Sequence, residues 1–307
     1  MGNTVDDRAT EHRARVSRRS VLTAGVLGVA GLAAATHTSA HTSYPTNRSM
    51  QEDTMSTTMS TPAPNSPAPT SQPTVVLVHG AFAESGSWNG VIRLLQGQGY
   101  TAVAAANPLR SIAGDSAFVS SIVSSVKGPV ILVGHSYGGA IITGAAAGND
   151  NVKALVFVSA FAPEEGEQLA DLTGKFPGST LTGTLASVPL SDGSNDLYIR
   201  QDAYYQQFEA DVPAAQAALD AATQRPIRDF AFTEPTGPAT WKTIPSWFAF
   251  ADQDKNIPVA VHRYMAQRAN AREAVEVKGG SHSFAVVQPG IVANLIFKAA
   301  AYIAQPR

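Results

Sequence analysis

From Thr74 onward, short apolar runs alternate with segments of helical pattern, and this alternation restricts the possible folds more than any other feature of the sequence. Val75-Val76-Leu77-Val78 is typical of these runs, which indicate parallel strands buried on both faces of a sheet. Strands that alternate with helices predict βαβ units, and therefore an α/β fold with a mostly parallel sheet flanked by helices. The predicted strands are 75–78, 100–106, 130–133, 154–159, 246–251 and 274–277, and the predicted helices are 88–96, 116–126, 139–147, 259–269 and 291–303.

The alternation stops between residue 164 and about residue 240. Two segments in this stretch, 197–208 and 214–223, have a helical pattern, and no strand-like run separates them. The sheet resumes with the apolar run 246–251. We therefore predict an inserted helical cap over the carboxyl ends of the strands, which is where sheets of this kind bind ligands.

The first 73 residues differ from the rest in composition. An arginine pair at 18–19 precedes a mildly apolar run at 21–35, a pattern typical of a twin-arginine export signal, which we place at residues 1–40. The run is shorter than the ~20 residues that a membrane anchor needs. Residues 41–73 are rich in Thr, Ser and Pro and are predicted to be a disordered linker. The sequence thus predicts one globular domain at 74–307, exported to the periplasm, the cell surface or the medium.

Composition excludes several kinds of site. The chain has no cysteine, which excludes disulfides, a thiol nucleophile and Cys-ligated zinc. It contains no His-Glu-x-x-His pattern and no Gly-x-Gly-x-x-Gly after the first strand, so we predict neither a metal nor any other cofactor. The net charge is −2, and the globular part has no Lys/Arg cluster, which argues against a nucleic-acid partner. A membrane is expected as a partner only during export.

The sequence Gly134-His135-Ser136-Tyr137-Gly138 directly follows the predicted strand 130–133 and precedes a predicted helix. This is the Gly-x-Ser-x-Gly pattern of a nucleophile elbow, and the strand–turn–helix setting makes it specific. The two glycines let the chain segments approach at a sharp, strained turn, so that the serine hydroxyl projects freely. Ser136 is therefore the predicted nucleophile, and a glycine-rich turn without chemistry is the alternative.

A serine hydroxyl needs a base that takes its proton, and in this motif's setting the base comes last in the chain. His282 lies in a predicted loop before the last helix and is the only histidine after residue 262. We expect His262 at the surface of the predicted helix 259–269, His135 beneath the nucleophile, and His79 as a support of the first loop. The predicted general base is therefore His282.

Two aspartates, Asp252 and Asp254, follow the predicted strand 246–251, and either could orient the imidazole of the base. The oxyanion of a tetrahedral intermediate also needs two backbone N–H donors. One is expected from Tyr137, the residue after the nucleophile, and the other from the loop after the first strand. In that loop Ala81 is the predicted donor and Phe82 the alternative.

These residues resemble the α/β-hydrolase superfamily, and more narrowly the plant methyl-ester esterases, the hydroxynitrile lyases and their bacterial esterase relatives. The resemblance implies that the aspartate directly before the lysine, Asp254, is the acid rather than Asp252. It also implies that the first-strand alanine, Ala81, donates an N–H group to the oxyanion. The resemblance covers about residues 74–163 and 240–307, and the matching stretches are 76–81, 133–139, 154–163 and 254–258.

Two positions depart from the hydroxynitrile lyases of this group, which carry Thr after the first-strand histidine and Lys after the catalytic histidine. This chain has Gly80 and Ser283 at those positions. Without the lysine there is no cation to stabilise a departing cyanide ion. The departures therefore favour an esterase over a lyase.

The resemblance and the elbow together predict a serine hydrolase that cleaves small to medium, uncharged carboxylic esters through an acyl-enzyme on Ser136. Phe82 and Phe161 are expected to contact the substrate. A lactonase, an amidase and a cofactor-free haloperoxidase-like perhydrolase share the same three polar residues and are alternatives. A ligand-binding protein on a hydrolase fold is the non-enzymatic alternative, because fold alone does not determine function.

Overall fold

The computed structural model of the chain describes residues 72–305. The predicted export signal at 1–40 lies outside these residues, as does the predicted linker 41–73 except for its last two residues. Within the described part, no helix combines the length and the apolar character that a membrane crossing requires.

Six strands form one fully parallel sheet, with neighbours in the order β2-β1-β3-β4-β8-β9. Helices lie on both faces, as the sequence predicts. The α/β prediction is therefore confirmed. The strands are β1 (Thr74–Val78), β2 (Ala102–Ala105), β3 (Val130–His135), β4 (Val152–Val158), β8 (Ser246–Ala251) and β9 (Glu273–Val277).

Alternate side chains of the central strands enter two separate cores, one on each face of the sheet. In β3, Val130 and Leu132 lie in one core, whereas Ile131 and Val133 lie in the other. All six residues of β3 are buried. A strand covered on both faces has no polar side, which explains the continuous apolar run 130–133.

The five predicted helices of the α/β part are present with somewhat different ends, and a short sixth helix at 284–287 was not predicted. The largest difference is α2, which begins at Ile112, four residues before the predicted start. Ser111 is its N-cap: the backbone there is extended and the side-chain hydroxyl accepts a hydrogen bond from Gly114 N at 3.0 Å. These helices are α1 (Asn89–Gly97), α2 (Ile112–Ser125), α3 (Tyr137–Ala145), α7 (Val259–Arg268), α8 (Phe284–Val287) and α9 (Pro289–Ile303).

The cap lies between β4 and β8 and is not purely helical, so that part of the prediction is corrected. The predicted helix 197–208 is wrong in its first residues, because 197–199 belong to a strand. That strand pairs antiparallel with two others in a small sheet of order β5-β6-β7. The predicted helix 214–223 is confirmed. The cap elements are α4 (Leu169–Gly174), β5 (Leu185–Pro189), β6 (Asn195–Ile199), α5 (Gln201–Phe208), α6 (Ala214–Thr223) and β7 (Ile227–Arg228).

A turn signal for the β5–β6 hairpin is present in the sequence at Asp192-Gly193. Gly193 has φ +86°, a conformation that glycine adopts without strain. The turn is closed by a hydrogen bond from Leu190 N to Ser194 O at 2.8 Å. An Asp-Gly pair between strand-like residues is among the strongest local signals for a hairpin. Helical periodicity alone missed it.

Gly139 in α3 packs directly against the residues that follow β4, and this contact yields a stability prediction. A Cβ atom at this position would lie 2.8 Å from Ala160 Cβ and against the carbonyl oxygen of Phe161. We expect Gly139→Ala to lower the free energy of unfolding by about 1–3 kcal/mol, because backbone must move to admit the methyl group. Urea unfolding measures this change.

Gly97 in α1 supplies the matched control, since a Cβ there meets no atom within 4 Å. Gly97→Ala should raise the free energy of unfolding by about 0.5–1 kcal/mol through helix propensity. Equal effects of the two substitutions would contradict the close approach at Gly139.

Candidate active site

The predicted site residues meet at the carboxyl ends of β1 and β3. The chain runs from β1 to β2 at one side and then returns to β3 at the other side of β1. Such a reversal opens a crevice beyond the strand ends, where open α/β sheets bind ligands. Ala81 follows β1 and Ser136 follows β3, and both line one buried cavity.

Ser136 occupies the sharp turn between β3 and α3, as predicted. Its backbone has φ 54° and ψ −122°, a strained conformation for a residue with a side chain. A Cβ atom at Gly134 would lie 2.6 Å from the carbonyl oxygen of Gly138, so only glycine permits this approach. The turn is tied to β4 by a hydrogen bond from Ser136 N to Val158 O at 3.2 Å.

His282 is oriented by Asp254. The Nδ1 atom of His282 lies 2.6 Å from Asp254 Oδ2, and both side chains are fully buried. Because a carboxylate only accepts hydrogen bonds, Nδ1 carries the proton and Nε2 has a free lone pair. Nε2 is buried and has no partner within residues 72–305. His282 and Ser136 line the same cavity, so the imidazole is available to the serine hydroxyl.

Asp254 accepts hydrogen bonds on both carboxylate oxygens. Oδ1 accepts from Asn256 N at 2.8 Å and from Ile257 N at 2.9 Å, whereas Oδ2 accepts from the two histidines His282 and His262. Burial alone would raise the pKa of Asp254, but attraction to His282 and hydrogen bonds from both histidines hold that pKa well below its usual range. Asp254 is therefore an anion in the folded chain.

The prediction that His262 lies at the surface is wrong. His262 is completely buried in α7, its ring stacks on Phe250 with centroids 5.2 Å apart, and its Nε2 atom lies 3.0 Å from Asp254 Oδ2. Burial lowers the pKa of His262, although the bond to Asp254 opposes this. The neutral ring therefore donates Nε2–H to the carboxylate. His262 is a member of the site that motif reasoning missed.

His135, His79 and Asp252 each bond to a backbone group near the site. His135 is buried beside His282, and its Nε2–H donates to the carbonyl oxygen of His282 at 3.2 Å. Burial lowers the pKa of His135 to about 3 and that of His79 to about 4, so both rings are neutral. His79 bonds to Gly80 O within its loop. Asp252 accepts from Gly279 N at 2.7 Å, and so caps a turn.

Two backbone N–H groups are free beside Ser136. Tyr137 N lies at the first turn of α3, where N–H groups have no partner inside the helix. Ala81 N makes no hydrogen bond within the described chain, whereas Phe82 N donates to Arg225 O at 3.0 Å. The geometry therefore favours Ala81 and Tyr137 as the oxyanion donors and weighs against the alternative, Phe82.

The cavity at Ser136 is small and largely apolar. It holds about 20 Å³ of space for the centres of water-sized molecules, room for about one water. Both predicted contact residues, Phe82 and Phe161, line it. Sequence reasoning did not single out most of the others. The remaining lining residues are Ala81, Ser136, Thr173, Leu181, Phe208, Phe232, Asn256, Ile257 and His282.

The cap helix α5 contacts two loops of the site. Tyr204 donates its hydroxyl proton to Phe82 O at 2.9 Å and so holds the loop after β1, where Phe82 has φ 63°. The carbonyl oxygen of Phe208 accepts from Ser281 Oγ and Ser283 N, and its ring lies 5.0 Å from the His282 ring. The cap is therefore part of the site's framework as well as its cover.

A larger hollow of about 740 Å³ lies at the opposite edge of the sheet, between Tyr100, Lys153 and Phe297. It has no serine, histidine or carboxylate in its lining, so it lacks the nucleophile, the base and the acid that the sequence predicts. We therefore place the candidate site at the smaller cavity. No group of three or more His, Cys, Asp or Glu side chains suited to a metal ion occurs within residues 72–305.

Residues 75–295 match the alpha/beta hydrolase family. The chain belongs to this family. It is 26% identical to the alpha/beta hydrolase nvfD of Aspergillus novofumigatus over 254 residues, which cover 75% of this chain and 97% of that protein. It is 31% identical to the carbendazim hydrolyzing esterase of Nocardioides sp. over 113 residues, 33% of this chain and 47% of that esterase.

Among solved structures, polyneuridine aldehyde esterase is similar in fold to this α/β hydrolase. The TM-score is 0.64 at 19% identity, and the match covers 74% of this chain and 98% of that one. Together with the family match, this similarity confirms the resemblance inferred from the elbow and the first-strand loop.

His262 yields a test of positioning through Asp254. His262→Phe removes one hydrogen bond to a buried carboxylate, a change that costs roughly 1.5–3 kcal/mol. We expect kcat for ester hydrolysis, the activity predicted from the sequence, to fall about 10- to 100-fold with little change in KM. The acid limb of the pH–rate profile should move to higher pH, since a less neutralised Asp254 stabilises the protonated imidazole of His282.

His262→Gln retains an N–H donor and should recover most of the lost kcat. A role in packing alone would lower the melting temperature without moving the pH profile. A His262→Phe enzyme with unchanged kcat and pH profile would contradict the assignment.

Glu209, directly after α5, is a buried acid beside the His282 loop. It is 3% exposed, and Oε2 has no hydrogen-bond partner in the described part of the chain. Burial, followed by the charge of Asp220 and a hydrogen bond with it, raises the pKa of Glu209 to about 8. The pKa of a glutamate in an unfolded chain is about 4.3. At a pH between these two pKa values, Glu209 is protonated in the folded chain but ionised in the unfolded chain. Glu209 therefore lowers the free energy of unfolding as the pH rises through this range.

Glu209→Gln should remove this loss. We expect equal stability of the two proteins near pH 4 and a gain for the variant that grows between pH 5 and pH 8, to on the order of 2 kcal/mol. Urea unfolding at each pH measures the gain. Glu165, which is exposed, gives the control Glu165→Gln with no such trend. A gain independent of pH would contradict a raised pKa at Glu209.

Proposed function

We propose that this α/β hydrolase is a serine esterase that cleaves carboxylic esters through an acyl-enzyme. One observation carries the proposal: His282 Nδ1 bonds to the buried Asp254 at 2.6 Å, which leaves Nε2 free in the cavity that Ser136 also lines. A ligand-binding protein has no need of a base in this orientation. Two similar proteins, a carbendazim hydrolyzing esterase and polyneuridine aldehyde esterase, are esterases, which is consistent with this activity.

In the first step, Ser136 Oγ attacks the ester carbonyl carbon while His282 Nε2 takes the hydroxyl proton. The carbonyl oxygen becomes an oxyanion that accepts hydrogen bonds from Ala81 N and Tyr137 N. The C–O bond to the alcohol then breaks, and His282 returns the proton to the leaving oxygen. A water molecule attacks the acyl-enzyme by the same route, which releases the acid and restores Ser136. Asp254 stabilises the protonated imidazole at both stages.

The lining supports a small, uncharged substrate. Apart from His282, no ionisable side chain lines the cavity, and Leu181, Phe232 and Ile257 make its wall apolar. The limited space favours short acyl chains. The neighbourhood of Ser136 also supports an esterase over a hydroxynitrile lyase, since a Cβ atom at Gly80 would lie 2.6 Å from Ser136 Cβ. The threonine that those lyases carry at this position would not fit this backbone.

The test is hydrolysis of p-nitrophenyl esters of increasing acyl length by the full chain. We expect turnover that is highest for acetate and butyrate, decreases for longer chains, and falls about 10⁴-fold or more in Ser136→Ala. Steady turnover of an ester would also exclude a purely binding protein.

Asp254→Asn and Asp252→Asn form a matched pair in one loop. The first should lower kcat about 10³- to 10⁴-fold, because an amide does not hold the imidazole in the required tautomer. The second should retain activity within about threefold, since Asp252 caps a turn. Full activity in Ser136→Ala, or turnover of lactones or amides but not of esters, would overturn the ester assignment.

A further inference from the structure

Asn256 is a polar residue in the cavity wall with no role in the proposed proton transfers. It follows Asp254 by two residues and is 3% exposed. Its backbone N–H donates to Asp254 Oδ1, but its side-chain Nδ2 atom is buried and has no hydrogen-bond partner anywhere in residues 72–305. Thr173, a second neutral polar residue of the lining, has a partner: its hydroxyl group donates to Leu169 O at 2.8 Å within the same helix.

The orientation of the Asn256 amide is fixed by Gln207 in the cap. Gln207 Nε2 lies 3.0 Å from the carbonyl oxygen of Lys255, and Gln207 Oε1 accepts from Thr180 Oγ1 at 2.8 Å. A carbonyl oxygen can only accept, so the Gln207 atom facing Lys255 must be the nitrogen. That nitrogen also lies 2.8 Å from the Asn256 amide, which must therefore present Oδ1 to it. The NH₂ group of Asn256 is turned to the other side.

A buried amide donor without a partner costs roughly 1–3 kcal/mol, so such a group in a binding cavity calls for an acceptor from the ligand. The donor is neutral and no cationic side chain lines the cavity, which favours a neutral oxygen over a carboxylate. Asn256 lies on the loop that carries Asp254, whereas the proposed oxyanion donors Ala81 and Tyr137 lie after β1 and β3. The acceptor is therefore an oxygen other than the ester carbonyl.

We propose that Asn256 Nδ2 donates a hydrogen bond to a second, neutral oxygen of the substrate, such as an ether, hydroxyl or ketone oxygen near the ester group. Asn256 thus selects oxygen-substituted esters over plain alkyl esters. The inference rests on the proposed esterase function and narrows its substrate class.

Two pairs of esters that differ only by exchange of CH₂ for oxygen test this selection. p-Nitrophenyl methoxyacetate and butyrate probe the acyl side, and 2-methoxyethyl acetate and butyl acetate probe the alcohol side. The preference is the ratio of kcat/KM within a pair, and comparing it between wild type and Asn256→Leu cancels the intrinsic reactivity of the esters. We expect about a 10-fold fall in the preference for oxygen in at least one pair.

Thr173→Val is the matched control and should leave both preferences unchanged. Asn256→Ala provides a second variant should the leucine disturb folding, which the melting temperature reports. Unchanged preferences in both pairs would overturn the inference. So would an equal loss on both members of each pair, because that pattern places the amide on the ester carbonyl or in the framework.

Binding separates this inference from the esterase proposal. Calorimetry with the Ser136→Ala protein measures the affinity of the same four esters without turnover, alone and combined with Asn256→Leu. Suppose that the wild type hydrolyses no ester, but the oxygen esters bind Ser136→Ala more tightly than the alkyl esters and lose this advantage in the variant that also carries Asn256→Leu. That result would overturn the esterase proposal and leave the role of Asn256 intact. Equal affinity within both pairs, or no binding, would sink the role of Asn256.

Discussion

The buried negative charge of Asp254 is the constraint on which the rest of the site depends. A carboxylate without hydrogen bonds would be very costly in this interior, and this one accepts four. Two donors are backbone N–H groups of the turn that follows it, one is His262 on α7, and one is His282 from the loop after β9. The turn, the start of α7 and the base loop are thus held in place by a single charge. The bond from His282 Nδ1 to Asp254 also fixes the tautomer of the imidazole, with the proton on Nδ1.

Backbone strain is the second shared feature. Ser136 and Phe82 both have positive φ, and they lie at the ends of the two adjacent strands β3 and β1. Strain of this kind persists only where surrounding contacts determine the conformation. Both backbone polar groups of Phe82 are hydrogen-bonded: its N–H donates to Arg225 O, and its carbonyl oxygen accepts from the hydroxyl of Tyr204. Ala81 and Tyr137, whose N–H groups are the proposed oxyanion donors, are the neighbours of these strained residues and therefore lie on segments that cannot relax readily.

Much of this arrangement was predictable from sequence, because Ser136 and its strand–turn–helix setting are local features. The choice of Asp254 over Asp252 was not local: both leave the same strand, and only the resemblance to known esterases separated them. His262 was misplaced although its helix shows the signal. Val261, His262, Met265 and Ala266 are all buried, so His262 lies on the apolar face of α7. A histidine on such a face needs a buried partner, and the partner here is eight residues away in sequence.

The cap was the least predictable region, since its contacts link residues far apart in the chain, and yet it contacts both the Asn256 side chain and the His282 loop. Gln207 and Phe208 are consecutive in α5. Gln207 sets the direction of the Asn256 amide, while the carbonyl oxygen of Phe208 holds the residues on either side of His282. A displacement of α5 large enough to admit a bulky ester would move both contacts together. With the roles that we propose for Asn256 and His282, substrate recognition and proton transfer both depend on the position of α5.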